Sequence, residues 1–393
     1  MVLTKKQEKG LKTCIDRYRA GEKFSVISGF AGTGKSTLVK FIIAALSSYG
    51  IDPEEDVCYA TYTGKAAQVL LKKGNKNVKT LHKLLYKSIP QKDGTFLHIP
   101  TECIPYKVIV VDEVSMAPKT LMQLLFRYNV HVICLGDHFQ LSSIDKNEDN
   151  HLLDNPHVFL DEIMRQAEES EIIRLTMDIR AGKSINYTKN DEVIVIPKEE
   201  LNTGMLQWAD QIICATNDTR ININNQMRQL NGKCGDPQDG DKVICLFNEW
   251  DILGSNEDPL INGTIGTLSN TFTTFYQIPK IFGGQRLSIL IGDFHTDNNA
   301  TFKSLNMDKL MFSTGEYTLD WKTSYRLMKN PKTRNLLPLK FTYGYCITGH
   351  KSQGSEYEKV LAIEEKFPFQ KEEHARWLYT VCTRASDKLV LVR

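Results

Sequence analysis

No stretch of the 393-residue sequence approaches the ~18 consecutive apolar residues that a membrane-spanning helix requires. The first residues, MVLTKKQEKG, are charged where a secretory signal would be apolar, so the expected location is the cytoplasm. Nine cysteines are scattered without a CxxC pair or a His/Cys cluster at zinc spacing. That scatter argues against a disulfide framework and a structural zinc, and predicts buried reduced thiols. Internal repeats and low-complexity linkers are missing. So is an excess of one charge: 49 Lys and Arg face 47 Asp and Glu, a formal balance of +2.

Acidic residues are also absent locally. From Gly64 to Lys92 there is none, and Lys65, Lys72, Lys73, Lys76, Lys79, Lys83, Lys87 and Lys92 fall there. A second acid-free stretch, Trp321 to Ser355, carries Lys322, Arg326, Lys329, Lys332, Arg334, Lys340 and Lys351. The acids collect instead at 145–171 and 249–258. Segregation of this kind lays a positive track on a neutral body, as a polyanion-binding surface needs. Lysine-rich solvated helix faces account for it equally well at this stage.

What is present is an ordinary globular composition, 41% hydrophobic and 24% charged, with length enough for two or three domains. Short Val- and Ile-rich runs read as buried parallel strands at 24–28, 57–61, 107–111, 131–135, 211–215, 344–348, 359–363 and 388–392. Helical periodicity separates many of them, as at 35–48, 64–73 and 118–128. The alternation predicts an α/β fold with mostly parallel sheets, whose functional loops follow the strand ends. Two stretches depart from it. Residues 85–106 place a Lys92-Asp93-Gly94 turn between extended segments and predict a β-hairpin. Residues 240–320 alternate in the manner of a small β domain inserted in a second α/β lobe.

Gly29-Phe-Ala-Gly32-Thr33-Gly34-Lys35-Ser36 is a P-loop between a strand and a helix. Its glycines let backbone N–H groups close on phosphates at a helix N-terminus. Lys35 would neutralise β/γ oxygens, Thr37 follows in the same turn, and Ser36 would offer a hydroxyl to Mg²⁺. The apolar run 107–111 then delivers Asp112, suited to the Mg²⁺ shell, and Glu113, suited to polarise an attacking water. A DE pair after a strand is unremarkable alone; beside a P-loop it predicts ATP hydrolysis.

With these two elements in place the remaining loops resemble superfamily 1 helicases of the RecD-like branch, in order and over nearly the whole chain. Leu3-Thr4-x-x-Gln7 resembles the adenine-reading Q motif. Thr61-Tyr62-Thr63-Gly64-Lys65-Ala66-Ala67 resembles motif Ia, Thr80-Leu81-His82 motif Ib, and Asp112-Glu113-Val114-Ser115-Met116 motif II. Gly136-Asp137-His138-Phe139-Gln140-Leu141 resembles motif III and Arg165-Gln166 the motif IV arginine. Thr348 to Glu356 resembles motif V, and Leu378-Tyr379-Thr380-Val381-Cys382-Thr383-Arg384-Ala385 motif VI. Tyr62 and Ser143 depart from it, standing where the family often has proline.

The resemblance implies two RecA-like lobes with a β-hairpin pin and a small β-barrel-like insertion. The lobes would span 1–160, with the pin at 85–106, and 161–239 plus 339–393; the insertion would span 240–338. Lys35, Glu113, Gln140, Arg165 and Arg384 would carry catalysis. ATP would contact Gln7, Gly29, Gly32, Thr33, Gly34, Lys35, Ser36, Thr37, Gly354 and Glu356, with Mg²⁺ at Ser36 and Asp112. Thr63, Lys65, Thr80, His82, Thr348, His350 and Lys351 would hold single-stranded DNA through phosphates, with little base preference. Phe96 would be the wedge at a duplex junction. The implied activity is an ATP-dependent 5′→3′ DNA helicase in a bacterial or phage-infected cytoplasm, with replication or recombination proteins as the partner class. A poorly unwinding or RNA-directed translocase, and an ATPase serving for recruitment, remain open alternatives.

Overall fold

The computed structural model of the chain describes residues 3–90, 96–141, 146–164, 169–256, 259–297, 299–329, 333–366 and 370–393. The chain divides into two compact units, one of residues 1–87, 100–201 and 352–393, the other of 88–99 and 202–351.

In the first unit helix α1 (Lys5–Arg19) precedes β1 (Phe24–Gly29), which leads into α2 (Lys35–Leu46). Then come β2 (Val57–Thr61), α3 (Gly64–Lys72), β3 (Val78–Thr80) and α4 (Leu81–Leu85). The hairpin strands β4 (Tyr86–Pro90) and β5 (Phe96–Pro100) follow along the chain, residues 88–99 belonging to the second unit, and the first unit resumes with β6 (Val108–Val111), α5 (Lys119–Leu125), β7 (His131–Gly136) and β8 (Val158–Leu160). Outside the hairpin these strands form one sheet in the order β3-β2-β6-β7-β1-β8, every pairing parallel. Both faces are buried, which is why the strands read as unbroken apolar runs. Successive side chains of a strand point to opposite faces. Thus Val26, Ala60, Ile109 and Val132 pack with Leu81, Leu85 and Met122 of α4 and α5. Ile27, Val57, Val110 and Ile133 pack with Leu38, Ile42 and Leu46 of α2.

After α6 (Glu171–Arg180) the unit continues with β9 (Thr188–Lys189) and β10 (Val193–Ile196). The second unit then continues with β11 (Gln211–Cys214) and α7 (Asn217–Leu230). There β12 (Lys242–Cys245) is followed by a short antiparallel pair, β13 (Glu249–Leu253) with β14 (Pro259–Leu260). The long strands β15 (Ile265–Gln277), β16 (Arg286–Thr296) and β17 (Thr301–Asp308) come next, then α8 (Trp321–Lys329), β18 (Phe341–Tyr343) and β19 (Cys346–Thr348). The order β17-β16-β15-β12-β18 is antiparallel throughout, a five-stranded sheet drawn largely from the stretch expected to be β, with its edge strand β18 beyond it. Strand β19 instead pairs in parallel with β11. The chain returns to the first unit with β20 (Tyr357–Ile363), α9 (Lys371–Cys382) and β21 (Ala385–Val392), where β20-β21-β10 is again parallel.

Candidate active site and nucleic-acid interface

The P-loop, motif II and motif III leave the first sheet where β1, β6 and β7 end, at its carboxyl edge. Gly29 is required by contact: a Cβ there would stand 2.8 Å from the Leu160 carbonyl oxygen and from Thr33 Oγ1. Gly34 is required by conformation, with φ +77° as the N-cap of α2, and a Cβ would also meet Gln7 Nε2 at 2.5 Å. Gly32 is likewise left-handed. Lys35 Nζ donates to the carbonyls of Gly29 and Phe30, at 2.7 and 2.9 Å, and the Thr33 hydroxyl donates to Phe30 at 2.8 Å. Ser36, exposed, and Thr37 sit in the first turn of α2, the end of a helix that attracts anions.

At the end of β6 the Asp112 carboxylate accepts from the Glu113 amide at 2.9 Å. Glu113 has φ +50°, a left-handed backbone that a residue other than glycine adopts only where its surroundings impose it. Its carboxylate lies 4.0 Å from the Arg384 guanidinium. Burial pushes both carboxyls up from their ordinary range; Lys35 opposes this at Asp112, and Arg384 opposes it at Glu113. Arg384 is itself buried and donates to the Thr380 and Ser355 carbonyls and to Thr383 Oγ1. Arg165, the second expected arginine, lies outside the described residues.

Motif III is fastened to α9 by side chains whose part sequence reasoning left unassigned. Buried Tyr379 donates its hydroxyl proton to Asp137 Oδ2 at 2.6 Å and accepts from the amide of Ala31, in the P-loop, at 2.8 Å. Thr380 Oγ1 accepts from the Leu141 amide at 2.9 Å, Arg376 donates to the His138 carbonyl at 3.2 Å, and Gln353 donates to the Leu141 carbonyl. Gln140, buried, lies inside this clasp. One signal was available: Tyr379 and Thr380 are the hydroxyl-bearing residues in the otherwise apolar run Trp377–Cys382.

Gln7 is buried and does two things. With Thr4 it closes a capping box on α1, and its Nε2 donates to the Thr33 carbonyl at 3.2 Å. Gly354 lies against motif Ia, and Glu356 reaches the end of α3. A Cβ on Gly354 would meet Thr63 Oγ1 at 3.1 Å and Ala66 at 3.2 Å, and Glu356 pairs with Lys73 at 2.8 Å.

Among the expected DNA contacts, Thr63 and Thr80 cap α3 and α4, each hydroxyl accepting a backbone N–H while keeping its own proton to donate. Lys65 reaches Tyr357, 2.8 Å from its hydroxyl. His82 is half-buried, its ring 5.8 Å from that of Tyr62, which packs on the first core where the family often has proline. In the second unit Thr348 ends β19, and His350 and Lys351 sit in the one-turn helix that follows. Lys351 donates to Asn262 at 2.7 Å, and burial lowers the pKa of both His350 and Lys351. The turn 91–95 and the side chain of Phe96 lie outside the described residues, as does Ser143.

Residues 3–196 match the AAA domain family and residues 343–392 the UvrD-like helicase C-terminal domain. Over 98% of its length the chain is 25% identical to the ATP-dependent RecD2 DNA helicase of Deinococcus radiodurans. The chain belongs to the superfamily 1 helicases of the RecD-like branch. A second relative of this helicase-family chain is the ATP-dependent DNA helicase dda of Enterobacteria phage T4, 29% identical over 48% of the chain. The alignments take in 49% and 44% of these two relatives, so the chain spans about half their length. The fold is that of the Bacteroides Pif1 helicase crystallised with ADP-AlF3 and ssDNA, with a TM-score of 0.52 at 18% identity, covering all of this chain and 92% of that one.

Proposed function

We propose that this chain is an ATP hydrolase that couples hydrolysis to 5′→3′ movement along single-stranded DNA and to separation of duplex DNA. The observation that carries the reading is the meeting of Glu113 and Arg384, 4.0 Å apart, at a P-loop whose Lys35 acts electrostatically on both motif II carboxyls. Glu113 takes the proton of the attacking water, and a carboxyl whose pKa burial has raised is the better base. Arg384 and Lys35 offset charge that develops on the transferred phosphoryl group, with Arg165 as a second arginine and Gln140 beside the reacting centre. Gln7 reads the adenine.

The donor set suits magnesium: an exposed hydroxyl at a helix start, Ser36, and a carboxylate, Asp112, which burial alone disfavours as an anion. Held there, the ion would neutralise phosphate charge. Residues 1–160 act as the ATP-binding lobe, 161–239 with 339–393 as the second lobe, and 240–338 as the inserted domain. Thr63, Lys65, Thr80, His82, Thr348, His350 and Lys351 grip phosphates, so binding is salt-dependent and nearly sequence-blind. DNA as the polymer agrees with the names of the RecD2 and dda relatives; the direction follows from the RecD-like resemblance.

The test is strand separation with ATP and Mg²⁺ on partial duplexes bearing a 5′ or a 3′ single-stranded tail. Unwinding of the 5′-tailed duplex only, lost in Lys35→Ala, is expected. Unwinding from the 3′ tail would overturn the direction. DNA-stimulated hydrolysis without unwinding would leave a translocase or a recruitment ATPase.

A further inference from the structure

The first half of the acid-free stretch, 321–340, is not taken up by the motif loops. Its helix α8 is fixed by Leu327, fully buried with Ile278, Leu287, Ile289 and Leu319. Trp321, Tyr325 and Met328, spaced i, i+4 and i+7, form one stripe of that helix, and the stripe is exposed: 71%, 43% and 53%. Large apolar side chains left in water on a structured helix mark a binding surface.

The stripe lines a groove of about 780 Å³ within the second unit, with Phe247 and Lys340 also among its lining residues. The Trp321 and Tyr325 rings are 5.9 Å apart, and Phe247 is 52% exposed. Cations are interleaved with the rings. Lys340 Nζ lies 4.1 Å from the Phe247 ring centre and 4.4 Å from that of Tyr317, and Lys329 Nζ lies 4.6 Å from Tyr325. Lys303 and Arg334 also line the groove, against Glu249 as its acid among the described residues.

We infer that this groove binds a segment of single-stranded nucleic acid, stacking bases on Trp321 and Tyr325 with Lys303, Lys340 and Arg334 beside the phosphates. Alternating ring faces and cations suit an extended polyanion with open base faces, and stacking serves every base alike. The inference rests on the single-strand reading above, and extends the strand beyond the motif loops onto the inserted domain.

The test is anisotropy of labelled oligo(dT), one of about 8 and one of about 16 nucleotides, with the full chain and no ATP. The wild-type chain binds the longer strand more tightly. The double variant Trp321→Ala, Tyr325→Ala keeps its affinity for the short strand and loses about tenfold or more on the long one. Trp321→Phe retains most of the gain. An unchanged thermal midpoint shows that both variants are folded. If wild type and double variant share one length dependence, or the variant loses equally on both lengths, the groove assignment falls while the single-strand reading stands. If the wild-type chain binds neither oligomer, both fall together.

Discussion

Tyr379 spends its single hydroxyl twice inside the core, as donor to Asp137 and acceptor from Ala31, so one atom joins motif III to the P-loop. Tyr379→Phe keeps the ring against Phe139 but strands the buried Asp137 carboxylate oxygen, at a cost of about 1–3 kcal/mol, and the half-buried Ala31 amide. The expected result is a kcat for ATP lowered about tenfold to hundredfold, with a smaller change in KM, if the bond holds the phosphate loop in its working shape. A variant that loses only thermal stability would reduce Tyr379 to a packing residue. Glu113 gives a second prediction. Burial raises its pKa, so the fraction ionised, and with it kcat, rises with pH through a limb above the ordinary glutamate range of about 4.3. Arg384 favours the ionised form, so the residual rate of Arg384→Gln should show that limb at higher pH. A limb that stays in place would separate the two residues. The P-loop and the DE pair were legible in the sequence because their chemistry demands fixed spacing. The Tyr379 bridge was not, because it joins residues more than two hundred positions apart.

Among the elements, the apolar runs at 24–28, 57–61, 131–135 and 211–215 became strands almost residue for residue, since burial on both faces leaves no room for polar alternation. Strands β3 and β8 escaped notice because three residues carry too little pattern to distinguish a strand from a loop, and the four-residue β10 was missed with them. Strand β20 begins at Tyr357, two residues before its apolar run, where Glu358 remains exposed. Least legible was the join between α7 and β12. Arg228 and Asp241, both buried, pair at 3.2 Å, and the same guanidinium donates to the Gly235 and Asp236 carbonyls. Tyr345 donates to Asp241 at 3.0 Å. Removing one partner of such a pair leaves an uncompensated buried charge, so Asp241→Ala should destabilise the second unit by about 3–5 kcal/mol in chemical denaturation. Replacing both, as Arg228→Met with Asp241→Leu, should recover part of the loss. A single variant costing under about 1 kcal/mol would show that water reaches the pair.

Across the molecule, the first unit is assembled from three separate lengths of chain, and the second fills both intervals between them. The groups that complete the candidate active site are therefore divided unevenly along the sequence: Lys35, Asp112 and Glu113 come early, Tyr379 and Arg384 within the closing fifteen residues. Strand β10 likewise waits for β21, almost two hundred residues further on, to supply its parallel neighbour. A ribosome building the chain would thus present the phosphate loop well before Tyr379 and Arg384. An interrupted product would therefore carry the phosphate loop without the bridge from Tyr379 and without the Arg384 that the proposed mechanism assigns to the phosphoryl group.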